Sequence, residues 1–149
     1  MTYQIAALLA LVCGGIAAGD MFCTTVGLAP MMQVLSYRRY VEMVQYLQPR
    51  YDPAMPIINA VALLANVVAA VTAPSGAWFV VAAVLVASVI GVSVAKAVPI
   101  NRFVLKLDPA DEPADWPSRD PRARWKAWNT TRTVLMAGAL LVDGVAVLY

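Results

Sequence analysis

The chain has 149 residues, of which 61% are hydrophobic and 13% charged, with a net charge of +2. A soluble domain of this length needs far more charge to cover its surface, so the composition is that of an integral membrane protein in contact with a lipid bilayer. The small net charge and the lack of a basic, aromatic-interleaved stretch away from the membrane flanks exclude a nucleic-acid partner.

Met1-Thr2-Tyr3-Gln4 lacks the basic segment of a cleaved secretory signal, so the first apolar stretch is expected to remain as a transmembrane helix. That stretch, Ile5 to Pro30, is long enough to cross about 30 Å of hydrocarbon with tilt. Within it Gly15 and Gly19 form a small-xxx-small pair that lets another helix approach closely. Cys13 and Cys23 lie about 15 Å apart along a helix, too far to bridge each other, and read as small packing residues.

From Met31 to Gln48, Arg38, Glu42 and Gln45 recur at i, i+4 and i+7 among Leu35, Val41, Val44 and Leu47. This is the pattern of an amphipathic helix that extends the first span or lies at the interface. Pro49 disfavours helical geometry in the residue before it, so the helix is expected to end near Gln48.

Pro56 opens the second span, which runs to Thr72, at a helix start where its missing N–H costs nothing. Pro74-Ser75-Gly76 predicts a tight turn. The third span runs from Ala77 to Val98 and the fourth from Ala127 to Leu148. Between them, Pro99 to Lys126 holds Asp108, Asp111, Glu112, Asp115 and four further prolines, which predict an extended, solvent-exposed loop. No domain boundary is needed, and residues 1–149 read as one all-α domain, a bundle of four transmembrane helices.

All eleven Lys and Arg fall in, or within about two helical turns of, the first and third connections. The positive-inside rule places those connections in the cytoplasm and both termini outside, with a bacterial plasma membrane as the expected location. So one-sided a bias argues against a dual-topology dimer, while association into a homo-oligomer stays open.

With this topology the polar residues inside the spans gather at one depth. Asp20 lies in the inner half of the first span, Asn59 near the inner end of the second, and Lys96 and Asn101 near that of the third. Trp125, Trp128, Asn129 and Arg132 lie near the inner end of the fourth. Helical spacing aligns Cys13, Asp20 and Thr24 on one face, Asn59 with Asn66 on another, and Arg132 with Asp143 on a third.

An arginine at this depth persists only by snorkelling to the headgroups or by meeting a partner in the bundle. Asp20 is such a partner. Two readings of Asp20 stay open, a role in chemistry or transport and a structural pair with Arg132. Trp125 and Trp128 fit interfacial anchors, Lys96 a snorkelling residue, Asn66 interhelical glue, and Asp143, nearer the outer face, a structural group.

The absence of histidine excludes a His-based metal site, a Ser-His-Asp triad and bis-His haem, and no glycine-rich phosphate loop or dinucleotide fingerprint is present. No metal and no cofactor are expected.

Pro99-Ile100-Asn101, followed after the loop by Trp125-x-x-Trp128-Asn129-x-x-Arg132, together with a glycine-rich first span ending in Pro30, resembles the anthrone-oxygenase-like membrane family. Arg102 stands where that pattern tends to have a second asparagine. The resemblance implies a small four-helix membrane protein. It also implies an activity that inserts oxygen from O2 into an anthrone-like or other lipophilic aromatic substrate, as in polyketide pathways, without a metal or flavin.

For such a reaction the protein needs a desolvated base, donors for an enolate oxygen and an apolar pocket. The resemblance makes Asp20 the base and Arg132, Asn129 and Asn101 the donors. Trp125 and Trp128 would stack on a flat substrate, with Asn59 and Thr24 completing the binding set. Two other classes remain: a small proton-coupled transporter using Asp20 as its protonation site, and a scaffold or accessory subunit of a membrane complex.

Overall fold

A computed structural model describes residues 1–74 and 76–148, so the turn expected at Pro74-Ser75-Gly76 lies partly outside the described residues. Its helices are α1 (Thr2–Cys23), α2 (Ala29–Val34), α3 (Tyr37–Tyr51), α4 (Ala54–Thr72), α5 (Gly76–Val92), α6 (Val98–Val104), α7 (Trp116–Arg119) and α8 (Arg122–Leu148). No strand occurs among the described residues. Four helical stretches are long and apolar enough to cross a membrane: Thr2–Val34, Ala54–Thr72, Gly76–Val104 and Trp116–Leu148.

The first and third stretches are continuous through wide, π-helical turns at Thr24–Leu28 and Ser93–Ala97. Each turn is closed by an i→i+5 bond, from Ala29 N–H to the Thr24 carbonyl and from Val98 N–H to the Ser93 carbonyl. Each is followed at once by a proline, Pro30 or Pro99. A proline ring clashes with the carbonyl four residues back and donates nothing, and a turn with one extra residue relieves that conflict without ending the helix.

The packing is that of a bundle solvated by lipid. Ala10, Ala17, Ala62 and Ala82 are fully buried between helices, whereas Leu8, Val71 and Leu141 point outward. Without a hydrophobic drive between helices in hydrocarbon, close approach of small residues and a few interhelical hydrogen bonds hold the bundle. Asn66 Nδ2 donates to Asp143 Oδ2 at 3.5 Å, and the Thr133 hydroxyl donates to the Met21 carbonyl at 3.0 Å. Asn66 and Asp143 thus join the second and fourth stretches, as interhelical glue.

Both termini and the α4–α5 connection lie at one end of the bundle, where Ala6, Ala7, Ala69, Phe79 and Ala146 pack together. The opposite end carries α3 and the segment between α6 and α8. There Met32, Tyr37, Tyr40, Val41, Val44, Val104 and Trp116 form a second core.

Several expectations are corrected. Of the stretch Met31 to Gln48, Met31–Val34 completes the first span, and the rest is a separate helix that does not end at Gln48: backbone at Leu35 and Ser36 is extended, and α3 then runs to Tyr51 through Pro49. The chain breaks there because Arg122, gripped by Asp120 at 2.8 Å, donates to the Met32 and Leu35 carbonyls and so caps α2. Beyond Pro49 the ordinary helical bonding resumes, with Asp52 N–H donating to the Gln48 carbonyl at 3.0 Å and the Arg50 guanidinium adding a donor for Tyr46, so the helix continues past the ring.

The third stretch likewise does not stop at Val98 but reaches Val104, and the fourth helix begins at Arg122 rather than Ala127. The connection is shorter than predicted, and it is folded rather than extended. Trp116 is buried, edge-on to Tyr37 at 4.7 Å between ring centroids, and Tyr37 donates its hydroxyl to the Asp108 carbonyl at 2.9 Å. A methyl group added at Gly15 or Gly19 would meet no neighbouring atom within 4 Å among the described residues, so neither glycine is a point of close helix approach. It is Gly14 that faces α8, at Leu140 and Asp143.

Candidate functional site

At the α3 end the four long stretches enclose a cavity of about 260 Å³. Its walls take Asp20 and Thr24 from the first stretch, Asn59 and Ala60 from α4, and Ser93, Val94, Ala97, Val98 and Asn101 from the third. Trp125, Asn129 and Arg132 come from α8. Seven of the eight residues predicted as site residues therefore line one space: Asp20, Thr24, Asn59, Asn101, Trp125, Asn129 and Arg132. Trp128 does not. It stands half-buried outside the cavity, with the Lys96 ammonium 5.4 Å from its ring centroid.

The polar groups divide into those already satisfied and those left open. Trp125 Nε1 donates to Asn101 Oδ1 at 2.9 Å, and Asn129 Nδ2 donates to the Trp125 carbonyl at 3.0 Å. These bonds fix the indole against the cavity wall. They use the oxygen of Asn101 and leave its amide N–H groups as donors.

Asp20, Asn59 and Arg132 are different. None makes a side-chain hydrogen bond among the described residues, and Asn59 Oδ1 and Arg132 Nε are fully buried without a partner. The ion pairs among the described residues are Arg38–Glu42, Arg119–Asp115 and Arg122–Asp120. The direct Asp20–Arg132 ion pair expected as the structural alternative is not among them, although both side chains line the same cavity. Buried polar atoms without partners are costly in hydrocarbon, and Asn59 and Arg132 place two of them around the cavity that Asp20 also lines.

The roof falls outside the sequence-based expectations. Tyr40, Val44, Leu47, Gln48 and Tyr51 of α3 close the cavity from above. Burial pushes the Tyr51 phenol above its ordinary range, and the nearby Asp20 and Cys23 add to the shift. The i, i+4, i+7, i+11 spacing of Tyr40, Val44, Leu47 and Tyr51 is the available signal, since it marks one face of α3. Where that face docks depends on the break at Ser36. On the side away from the cavity, Gln45 Nε2 donates to the Leu107 carbonyl at 2.8 Å and holds α3 in place.

No group of three or more Cys, Asp or Glu side chains suited to a metal ion occurs among the described residues. The cavity offers two carboxylates, Asp20 and, at its exposed corner, Asp52, together with amides, hydroxyls and a cation.

The sequence model of the family described as anthrone oxygenase matches residues 48–142. The match takes in Asn59, Asn101, Trp125, Asn129 and Arg132, while Asp20 and Thr24 lie before it and reach the same cavity through the fold. No curated protein and no solved structure matches the chain. With well over half of its length matched, the residues of the cavity's α4, α6 and α8 walls among them, the chain belongs to the anthrone oxygenase family.

Proposed function

We propose that the protein is a membrane-embedded, cofactor-independent oxygenase that converts an acidic methylene group, flanked by aromatic rings in a lipophilic, anthrone-like substrate, to a carbonyl. The observation that carries this reading is the meeting of Asp20 with the buried, unpartnered Asn59 Oδ1 and Arg132 Nε around one largely apolar cavity. A base, an amide and a cation held apart by an open space suit a substrate that loses a proton to one of them and gathers negative charge on an oxygen beside another.

Asp20 takes the first C–H proton, and the charge moves to the substrate oxygen, where Arg132 and the N–H groups of Asn101 and Asn129 stabilise it. The electron-rich anion passes one electron to O2, and the two radicals combine to form the C–O bond of a peroxide. Asp20 returns its proton to the peroxide. It then takes the second C–H proton as the O–O bond breaks, leaving the carbonyl and a hydroxide that departs with that proton as water. In sum, the methylene and one molecule of O2 become a carbonyl and one molecule of water, balanced without an outside reductant. Trp125, fixed by Asn101, offers its face to the flat ring system.

The test is oxygen uptake by the purified protein in nanodiscs with anthrone as substrate. Anthraquinone should form with one atom of labelled O2 in its new carbonyl, and Asp20→Asn should abolish the catalysed rate. Uptake of the aromatic into vesicles without product would instead assign Asp20 to transport.

A further inference from the structure

Five residues of the cavity wall are exposed: Tyr51, Asp52, Pro56, Ala60 and Val94. They are not scattered. Pro56 and Ala60 stand one turn apart on α4, Val94 stands on the wide turn of the third stretch, and Tyr51 and Asp52 form the corner between α3 and α4. α4 packs along α5, whereas the Ser93–Ala97 turn packs chiefly on α8, so the second and third stretches part company at the level of the cavity. Two of the other sides are held shut. α3 is tied down through Tyr37, Gln45 and Trp116, and the first and fourth stretches are joined by the bonds of Thr133 to Met21 and Thr25.

We infer that the cavity opens sideways into the bilayer between the second and third stretches, with Ala60 and Val94 as its two edges, and that its substrate is drawn from the membrane and not from water. Both edge residues lie within apolar stretches of spanning length, so their exposed faces meet hydrocarbon. A flat aromatic molecule dissolved in the leaflet crosses such an edge without gaining or losing apolar contact. The corner at Asp52 adds a polar group at one end of the slot, matching an aromatic with one oxygenated edge. This inference rests on the lipophilic-substrate reading above, and its test reads binding rates rather than turnover.

The probe is anthraquinone, which has no acidic methylene to react, added to the protein in nanodiscs and followed by quenching of tryptophan fluorescence. Ala60→Phe and Val94→Phe should slow association and dissociation together, each by about 10-fold, with Kd held within about twofold, as narrowing a passage does. Val94→Ala should speed both, and Val84→Phe, on an exposed position away from the cavity, should change neither. If either phenylalanine variant fails to fold, the leucine variant at the same position takes its place. Unchanged rates in the edge variants, or slowing by Asp52→Phe alone, overturn the lateral entrance and leave the oxygenase reading standing. No binding to the unmodified protein removes both.

Discussion

Trp125 and Asn101 stand 24 residues apart in sequence, yet the indole N–H of one meets the amide oxygen of the other at 2.9 Å. The bond closes the gap between the two short motifs on either side of the polar loop and makes them one wall of the cavity. Trp125→Phe keeps the ring face and loses this single bond, so thermal unfolding in detergent should register a cost of about 1 kcal/mol. Turnover should fall further than stability, since a freed indole position and a rotated Asn101 both disturb the substrate's seat. Equal turnover in Trp125→Phe and the parent protein would separate the bond from catalysis.

Asp20 and Arg132 share the cavity without an ion pair. Asp20→Asn should therefore cost far less than the about 3–5 kcal/mol of breaking a buried pair. Its catalysed rate should nevertheless fall by about 10²–10⁴-fold, the usual contribution of a positioned base. Chemical denaturation and oxygen uptake on the same preparation measure both. A large loss of stability with intact turnover would reverse the assignment.

Asn66 and Asp143 are buried on facing helices, and the oxygens Asn66 Oδ1 and Asp143 Oδ1 have no partner. Asp143→Asn supplies a donor of the same shape and should preserve or raise the unfolding temperature. Asp143→Leu leaves the Asn66 amide only its bond to the Ala62 carbonyl of its own helix, with its second N–H buried and unpartnered, and should cost about 1–3 kcal/mol. Matching losses in the two variants would show that the contact carries no polar role.

Tyr40 lies under the α3 roof, and burial pushes its phenol well above the ordinary 10.0, with Asp120 adding and Arg122 opposing. A raised pKa in the folded state means that the folded protein holds this proton more tightly than the unfolded chain does. The resulting stability is complete below about pH 10 and declines as the pH rises above it, where the unfolded phenol ionises and the folded one does not. Unfolding midpoints between pH 8 and about pH 11 should fall for the parent protein and fall less steeply for Tyr40→Phe.

All eleven Lys and Arg lie at or near the α3 end of the bundle, and the termini lie at the other. A cysteine placed at Glu112 should react with a membrane-impermeant thiol reagent only in inverted vesicles, and one placed at Thr2 only in intact cells. Labelling of the Glu112 position from outside would turn the cavity toward the opposite leaflet.

The spans and the gathering of Asp20, Asn59, Asn101, Asn129 and Arg132 were legible in the sequence because hydrocarbon imposes simple rules. Apolar runs must be long, and polar residues inside them must turn inward. The roof was not legible. Its position follows from Arg122 capping carbonyls at Met32 and Leu35, a contact across 90 and 87 residues that no local pattern encodes. Trp116 was hidden for a related reason. Its neighbours Asp111, Glu112 and Asp115 read as a solvated loop, and only the arrival of Tyr37 and Tyr40 makes a place for an indole there.

The wide turns before Pro30 and Pro99 also decide which way the cavity residues point. One additional residue in a turn advances everything after it by about 100° around the helix axis. On the third stretch the offset leaves Val98 and Asn101, beyond the turn, lining the same cavity as Ile90 and Ser93 before or within it. On the first it does the same for Leu28 and Met32 relative to Asp20. The site is thus set by angular phase as much as by side-chain chemistry. Removing a single residue between Ser93 and Ala97 would let the wide turn close to an ordinary helical one with Asn101 still facing the wall, whereas adding one there would swing Asn101 away and take the support of Trp125 with it.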